Sequence, residues 1–186
     1  MRTAPTRFSY ATCTTCTSAA TPPTHKEYAV LAFLFLLALL GVALPPLAQP
    51  ESYHQFADQR TVFGVAHAAD VLTNLIFAAV GLCGLLRVAR RPAVDSVTRA
   101  ALGLFFAGVL ATAAGSAYYH LAPDSQTLLW DRAPMVLAFA GLLGAFCAQR
   151  VSPRAGVLAL AGTLALGAAS LVQAATTGSV TAYLVL

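Results

Sequence analysis

The chain has 186 residues, of which 58% are hydrophobic and only 10% charged. An average soluble domain is roughly 25% charged, so this composition excludes an ordinary soluble domain and predicts helices that are apolar on every side, as lipid requires. The formal net charge of +4 comes without a basic patch interleaved with aromatics, which argues against nucleic acid as a partner; the excess Arg and Lys is the kind that cytoplasmic loops of membrane proteins carry.

Residues 1–27 are polar, rich in Thr and Ala, and carry Arg2, Arg7 and Lys26. They read as a disordered tail. Cys13 and Cys16 form a lone C-x-x-C there, without the second pair that a zinc finger needs. The run YAVLAFLFLLALLGVALPPLA, residues 28–48, is the first hydrophobic span. It reads as a retained helix or signal anchor: its apolar core is long for a cleaved signal, and a proline stands three positions before a cut after Ala48.

Residues 49–70 are polar enough for a loop. A second span has its core at 71–86 and is entered from about Ala68. A basic loop, 87–99, leads to a third span at 100–120. A short turn, 121–127, holds the breakers Pro123 and Asp124. The fourth span covers 128–148, a second basic loop 149–154, and the fifth span 155–175. After Gly178 another apolar run begins, SVTAYLVL, too short to cross a bilayer. Cys83 and Cys147 lie inside apolar runs and are expected to be small buried hydrophobes. The expected fold is an all-α polytopic bundle of five spans plus the start of a sixth. Its parts are a tail at 1–27, an anchor helix at 28–48 and a helical membrane domain at 49–186.

Loop charge predicts the orientation. The tail, the loop after span two (Arg87, Arg90, Arg91, Arg99) and the loop after span four (Arg150, Arg154) are basic; the alternate loops are acidic or mixed. The N-terminus is therefore expected in the cytoplasm and the 121–127 turn outside.

The ionisable residues of the spans gather at that outward side. Ser116 and His120 are four apart, on one face of span three. Asp131 follows the short turn, so it starts the neighbouring antiparallel helix at similar depth. Asp70 and Asn74, also four apart, begin span two at the same level. One alternative is structural: helix ends at the headgroup layer tolerate polar groups, Asp favours a helix N-terminus, and Tyr118, Tyr119 and Trp130 suit an interface. The other is functional, because ionisable groups at membrane depth are costly and mark sites. A Ser and His one turn apart suit either a nucleophile with its base or an oxyanion donor beside a metal ligand; the spacing does not choose.

GSAYYH, followed eleven residues after its His by the Asp of LLWDRAPM, resembles the alkaline ceramidase family of membrane hydrolases. FADQRTVFGVAHAADVLTNLIF resembles the entry to the first core helix of bacterial members, which carry one extra N-terminal span. The resemblance covers roughly residues 53–186. It implies seven core helices, a zinc held by three histidines of which His120 is the first, an oxyanion role for Ser116, and a water-activating role for Asp131. It also implies hydrolysis of the amide of a ceramide-like membrane lipid; with the loop charges, the site is expected on the extracytoplasmic side of a bacterial inner membrane. The family's other two zinc ligands form an H-x-x-x-H on its last helix. No histidine follows His120 here, so the chain is expected to correspond to the N-terminal part of such a protein. Calcium ligands of the family find no residue-by-residue match.

Overall fold

A computed structural model describes residues 22–90 and 94–186. The expected disordered tail up to residue 21, with Cys13 and Cys16, lies outside the described residues, as does Arg91. The described residues form six α-helices and one 3-10 turn, with no strand. Five helices are long and apolar enough to cross a membrane: α1 (His25–Ala43), α2 (Ala68–Ala89), α3 (Ser96–Leu121), α4 (Thr127–Arg150) and α5 (Pro153–Thr177). A short α6 (Thr181–Val185) follows. At 1.5 Å per residue the five are about 28–39 Å long, enough for a hydrocarbon core of about 30 Å. The protein is an integral membrane helical bundle.

Local chemistry sets the boundaries. Thr24 and Glu27 close a capping box: Thr24 Oγ1 accepts from the Glu27 N–H at 3.3 Å, and Glu27 accepts from the Thr24 N–H at 2.7 Å. That satisfies two orphan donors and starts α1 at His25, three residues before the expected span. Pro45 and Pro46 force the preceding Leu44 into extended backbone and end it. Asp95 caps α3 by accepting the Thr98 N–H at 2.9 Å. Ser152 caps α5, with Pro153 at its first position and Gly178 in the left-handed conformation closing it.

Along the bundle α3 packs on α2 and α4, α4 packs on α5, and α5 carries α1 and α6. The spatial order is α2, α3, α4, α5, α1, and α1 makes no contact with α2. The interior is built from small residues. Ala101, Ala140, Ala155 and Ala159 are fully buried, which lets backbones approach as lipid-embedded helices require. Large apolar residues such as Leu75, Ile76, Phe146 and Val172 stand exposed on outer faces, where lipid covers them. Cys147 is buried as expected; Cys83 is exposed, because position 83 of α2 turns away from α3.

The α3–α4 contact is the closest where it matters most. Pro134 lies inside α4 and has no N–H for the carbonyl four residues earlier, that of Trp130. Gly115 of α3 faces this carbonyl: a Cβ there would stand 2.0 Å from Trp130 O and 3.4 Å from Asp131 N. The missing side chain at 115 thus brings the next residue, Ser116, beside the start of α4.

Candidate functional site

Ser116 and Asp131 share the wall of an apolar cavity of about 380 Å³, together with Phe77, Phe105, Met135 and Phe139. Ser116 is buried, and its hydroxyl lies within hydrogen-bonding reach of the Asp131 carboxyl group. The cavity shares Phe139 and Leu142 with a second one of about 440 Å³ that Phe33, Leu37 and Thr163 also line. The two make a continuous apolar groove along one face of α4, in the gap between α1 and α2.

His120 lies one turn beyond Ser116. Its Nδ1 is fully enclosed with no hydrogen-bond partner. Its ring packs against Phe56, with centroids 4.5 Å apart. Phe56 belongs to a segment, residues 49–67, that straps across this end of the bundle. Its ring also meets His67 at 5.2 Å and Tyr119 at 5.3 Å.

The strap is tied down by side chains distant in sequence. His54 shares a hydrogen bond of 2.9 Å with the Tyr119 hydroxyl through Nδ1, and one of 3.2 Å with Ser125 Oγ through Nε2. Arg132 donates to Gln49 Oε1 at 2.7 Å. Asp58 accepts from the Arg60 side chain at 2.6 Å and from the Ala69 N–H at 2.8 Å, so it caps α2 from the strap. These bonds hold the Asp58 carboxyl well below its ordinary range, at about 2. His67, in the left-handed conformation at φ 49°, shares a 2.6 Å hydrogen bond with the Asp58 carbonyl. At the α3–α4 turn, Asp124 accepts the Thr127 and Gln126 N–H groups, which lowers its pKa.

Of the residues singled out in the sequence, Ser116 and Asp131 are brought together on one cavity wall, and His120 lies one helical turn beyond Ser116. Asp70 and Asn74 sit at the same end but are engaged elsewhere. Asn74 donates to the Asp70 carbonyl of its own helix at 2.8 Å, and the Asp70 charge acts on Arg60. Tyr119 is buried beneath His54 and Phe56, whereas Tyr118 and Trp130 are exposed. His54, Phe56 and the partners of Arg132 were not singled out in the sequence. The one signal available was an aromatic-flanked histidine, SYHQF, in a loop on the same side as the 121–127 turn.

The donor set falls short of what zinc requires. The enclosed, unpartnered Nδ1 of His120 is the kind of atom a metal takes. A catalytic zinc needs three protein ligands, and among the described residues no group of three His, Cys, Asp or Glu side chains stands close enough to hold a metal. His54 and His67 are each engaged in the strap.

Fold and site together define a helical membrane protein with a polar cluster roofed by a strap at one end of an apolar groove. No family model matches the chain, and neither does any curated protein or solved structure.

Proposed function

We propose that this protein is an integral membrane hydrolase of the alkaline ceramidase type, acting on the amide of a ceramide-like lipid. The observation that carries the reading is the pairing of buried Ser116 with Asp131 on the wall of an apolar groove, beside His120. The strap end lies on the extracytoplasmic side of a bacterial inner membrane. Arg87, Arg90, Arg99, Arg150 and Arg154 all occupy the opposite end, which supports that orientation.

On this reading an acyl chain lies in the groove and its amide reaches the Ser116–Asp131 level. The Ser116 hydroxyl turns from the carboxylate to the amide carbonyl oxygen as negative charge develops there. Asp131 accepts a proton from the attacking water and returns it to the departing amine. The C–N bond breaks, and a fatty acid and a sphingoid base leave. Zinc, which the resemblance implies, would need ligands besides His120 that the described residues do not supply.

That shortfall favours a second reading, in which the chain binds such a lipid without cleaving it. The full chain, reconstituted with ceramide in vesicles with and without added zinc, separates the two. Fatty-acid release that falls about a hundredfold or more in Ser116→Ala and Asp131→Asn, with the unfolding transition retained, is expected of the hydrolase. Binding of ceramide without release selects the second reading. No binding and no release would overturn both.

A further inference from the structure

Arg132 is the most unusual charge in the bundle. It is 6% exposed, yet among the described residues no carboxylate oxygen comes within 4.0 Å of its guanidinium. Asp131, its neighbour in sequence, stands beyond that range. Its one hydrogen bond goes to the neutral Gln49. Its charge rests on two aromatic rings, Tyr183 at 4.6 Å and Tyr53 at 6.0 Å from the ring centroids. A guanidinium has five N–H donors in a fork that matches a carboxylate or phosphate, and a charge taken out of water without a counter-ion is costly.

Two further facts give the ligand a place. Arg132 commits Nη2 to Gln49 Oε1, and among the described residues no hydrogen bond is made by its Nε and Nη1. The ring beneath the guanidinium leads to the groove as well: the Tyr183 hydroxyl donates to the Met135 sulfur at 3.7 Å, and Met135 lines the 380 Å³ cavity. From 131 to 142 the α4 wall of that cavity runs about 16 Å, ending in Phe139 and Leu142.

We propose that Arg132, with Gln49 and Tyr183, is a binding site for the oxyanion of a single-headed amphiphile, whose chain lies along Met135, Phe139 and Leu142. The shared chemistry is a carboxylate or phosphate joined to a long acyl chain. The oxyanion end of this site is Arg132 and not the Ser116–Asp131 pair, although the chain shares the same cavity, and the proposal does not depend on hydrolysis. Fatty acid and anionic phospholipid both present this chemistry.

The test uses the full chain in neutral detergent, with bound lipid read by native mass spectrometry. The probes are palmitate, its neutral analogue hexadecanol, phosphatidylglycerol, phosphatidylcholine and inorganic phosphate. The wild type is expected to favour palmitate over hexadecanol, or phosphatidylglycerol over phosphatidylcholine, by about tenfold or more, the scale of one charge-assisted hydrogen bond. Which pair shows the preference identifies the source of the oxyanion. Arg132→Gln is expected to abolish it and Arg132→Lys to keep part of it. Equal uptake of charged and neutral probes by the wild type overturns the proposal, and that arm needs no variant to fold. Equal preference in wild type and a folded Arg132→Gln also overturns it. Inorganic phosphate that displaces palmitate at equal concentration would reduce the site to a free-anion site and overturn the amphiphile.

Discussion

The two ends of the bundle solve the same problem differently. At the basic-loop end, helix termini are satisfied mostly by neighbours in sequence: Asp95 caps α3, Ser152 caps α5, and Thr24 with Glu27 caps α1. One long-range bond is added there, from the Ser152 hydroxyl to Glu27 at 2.6 Å. At the strap end the ties run between distant segments: His54 to Tyr119 and Ser125, Gln49 to Arg132, and Thr181 to both Leu47 and Pro45. Local caps close a helix cheaply and say nothing of function. A set of histidines, tyrosines and an arginine joined across the fold is not needed to end helices, and it encloses the polar residues beneath it. The asymmetry supports placing the proposed site at the strap end.

The largest effect is expected where the strap end rests on the α3–α4 contact. A side chain at position 115 would meet the Trp130 carbonyl at 2.0 Å, and backbone cannot step aside as a side chain can. Gly115→Leu is expected to cost about 2–3 kcal/mol or to prevent folding, read as the unfolding midpoint in detergent. Gly103, in the same helix, has nothing within 4 Å of its Cβ position. Gly103→Ala should be neutral or stabilising by up to about 1 kcal/mol. Equal effects at the two positions would mean that the close approach does not set the Ser116–Asp131 pairing.

This contact also shows why part of the site could be read from sequence. The five spans follow from composition alone, because an apolar run of about 20 residues has few other stable solutions. The short turn around Pro123 forces α3 and α4 to be neighbours, and spacing puts Ser116 and His120 on one face. Ser116 and Asp131 are therefore legible in the sequence. His54, Phe56 and Gln49 are not. They lie in a loop without periodicity, and their partners are 65 residues or more away for His54 and Gln49. Nothing local encodes such contacts. The burial of Tyr119 is hidden for the same reason: it depends on the strap above it. Cys83 was misjudged because an all-apolar helix does not reveal which face meets protein and which meets lipid.

A smaller effect is expected from the strap itself. Phe56 touches His67, Tyr119 and His120 together, so Phe56→Ala removes the contact that roofs the site. It should cost about 2 kcal/mol and expose 49–67 to limited proteolysis while α1 to α5 stay protected. Proteolysis spread over the basic-loop end as well would break the distinction between the two ends.

The strap has a pH dependence of its own. Asp58 titrates at about 2 in the folded protein because Arg60 and the Ala69 N–H bond its carboxylate. The folded value lies below the ordinary carboxylate value of 3.8. Its contribution is therefore fully present above about pH 4 and is lost as pH falls through about 2. The protection factor of the Ala69 amide should hold down to pH 4 and fall below it. In Asp58→Asn that acid step should vanish, with exchange faster than wild type already at neutral pH. A step of unchanged size in Asp58→Asn would assign the acid sensitivity to another group.

The smallest effect tests the basic-loop end. Glu27 accepts from both the Thr24 N–H and the Ser152 hydroxyl, so Glu27→Gln weakens the α1 cap and the tie to the α4–α5 turn together. Gln keeps hydrogen-bonding capacity at both positions and loses only the charge assistance. Arg154 also acts on this carboxylate through its charge, in a region that salt screens. The expected result is a small fall in melting temperature, smaller than that of Phe56→Ala and diminishing at high salt, with ligand binding at the strap end unchanged. Loss of binding in Glu27→Gln would show that α1 transmits between the ends, because α1 forms one wall of the groove through Phe33 and Leu37. Unchanged binding would confine the function to the helices and strap above that groove, and leave the basic-loop end with the task of closing helices.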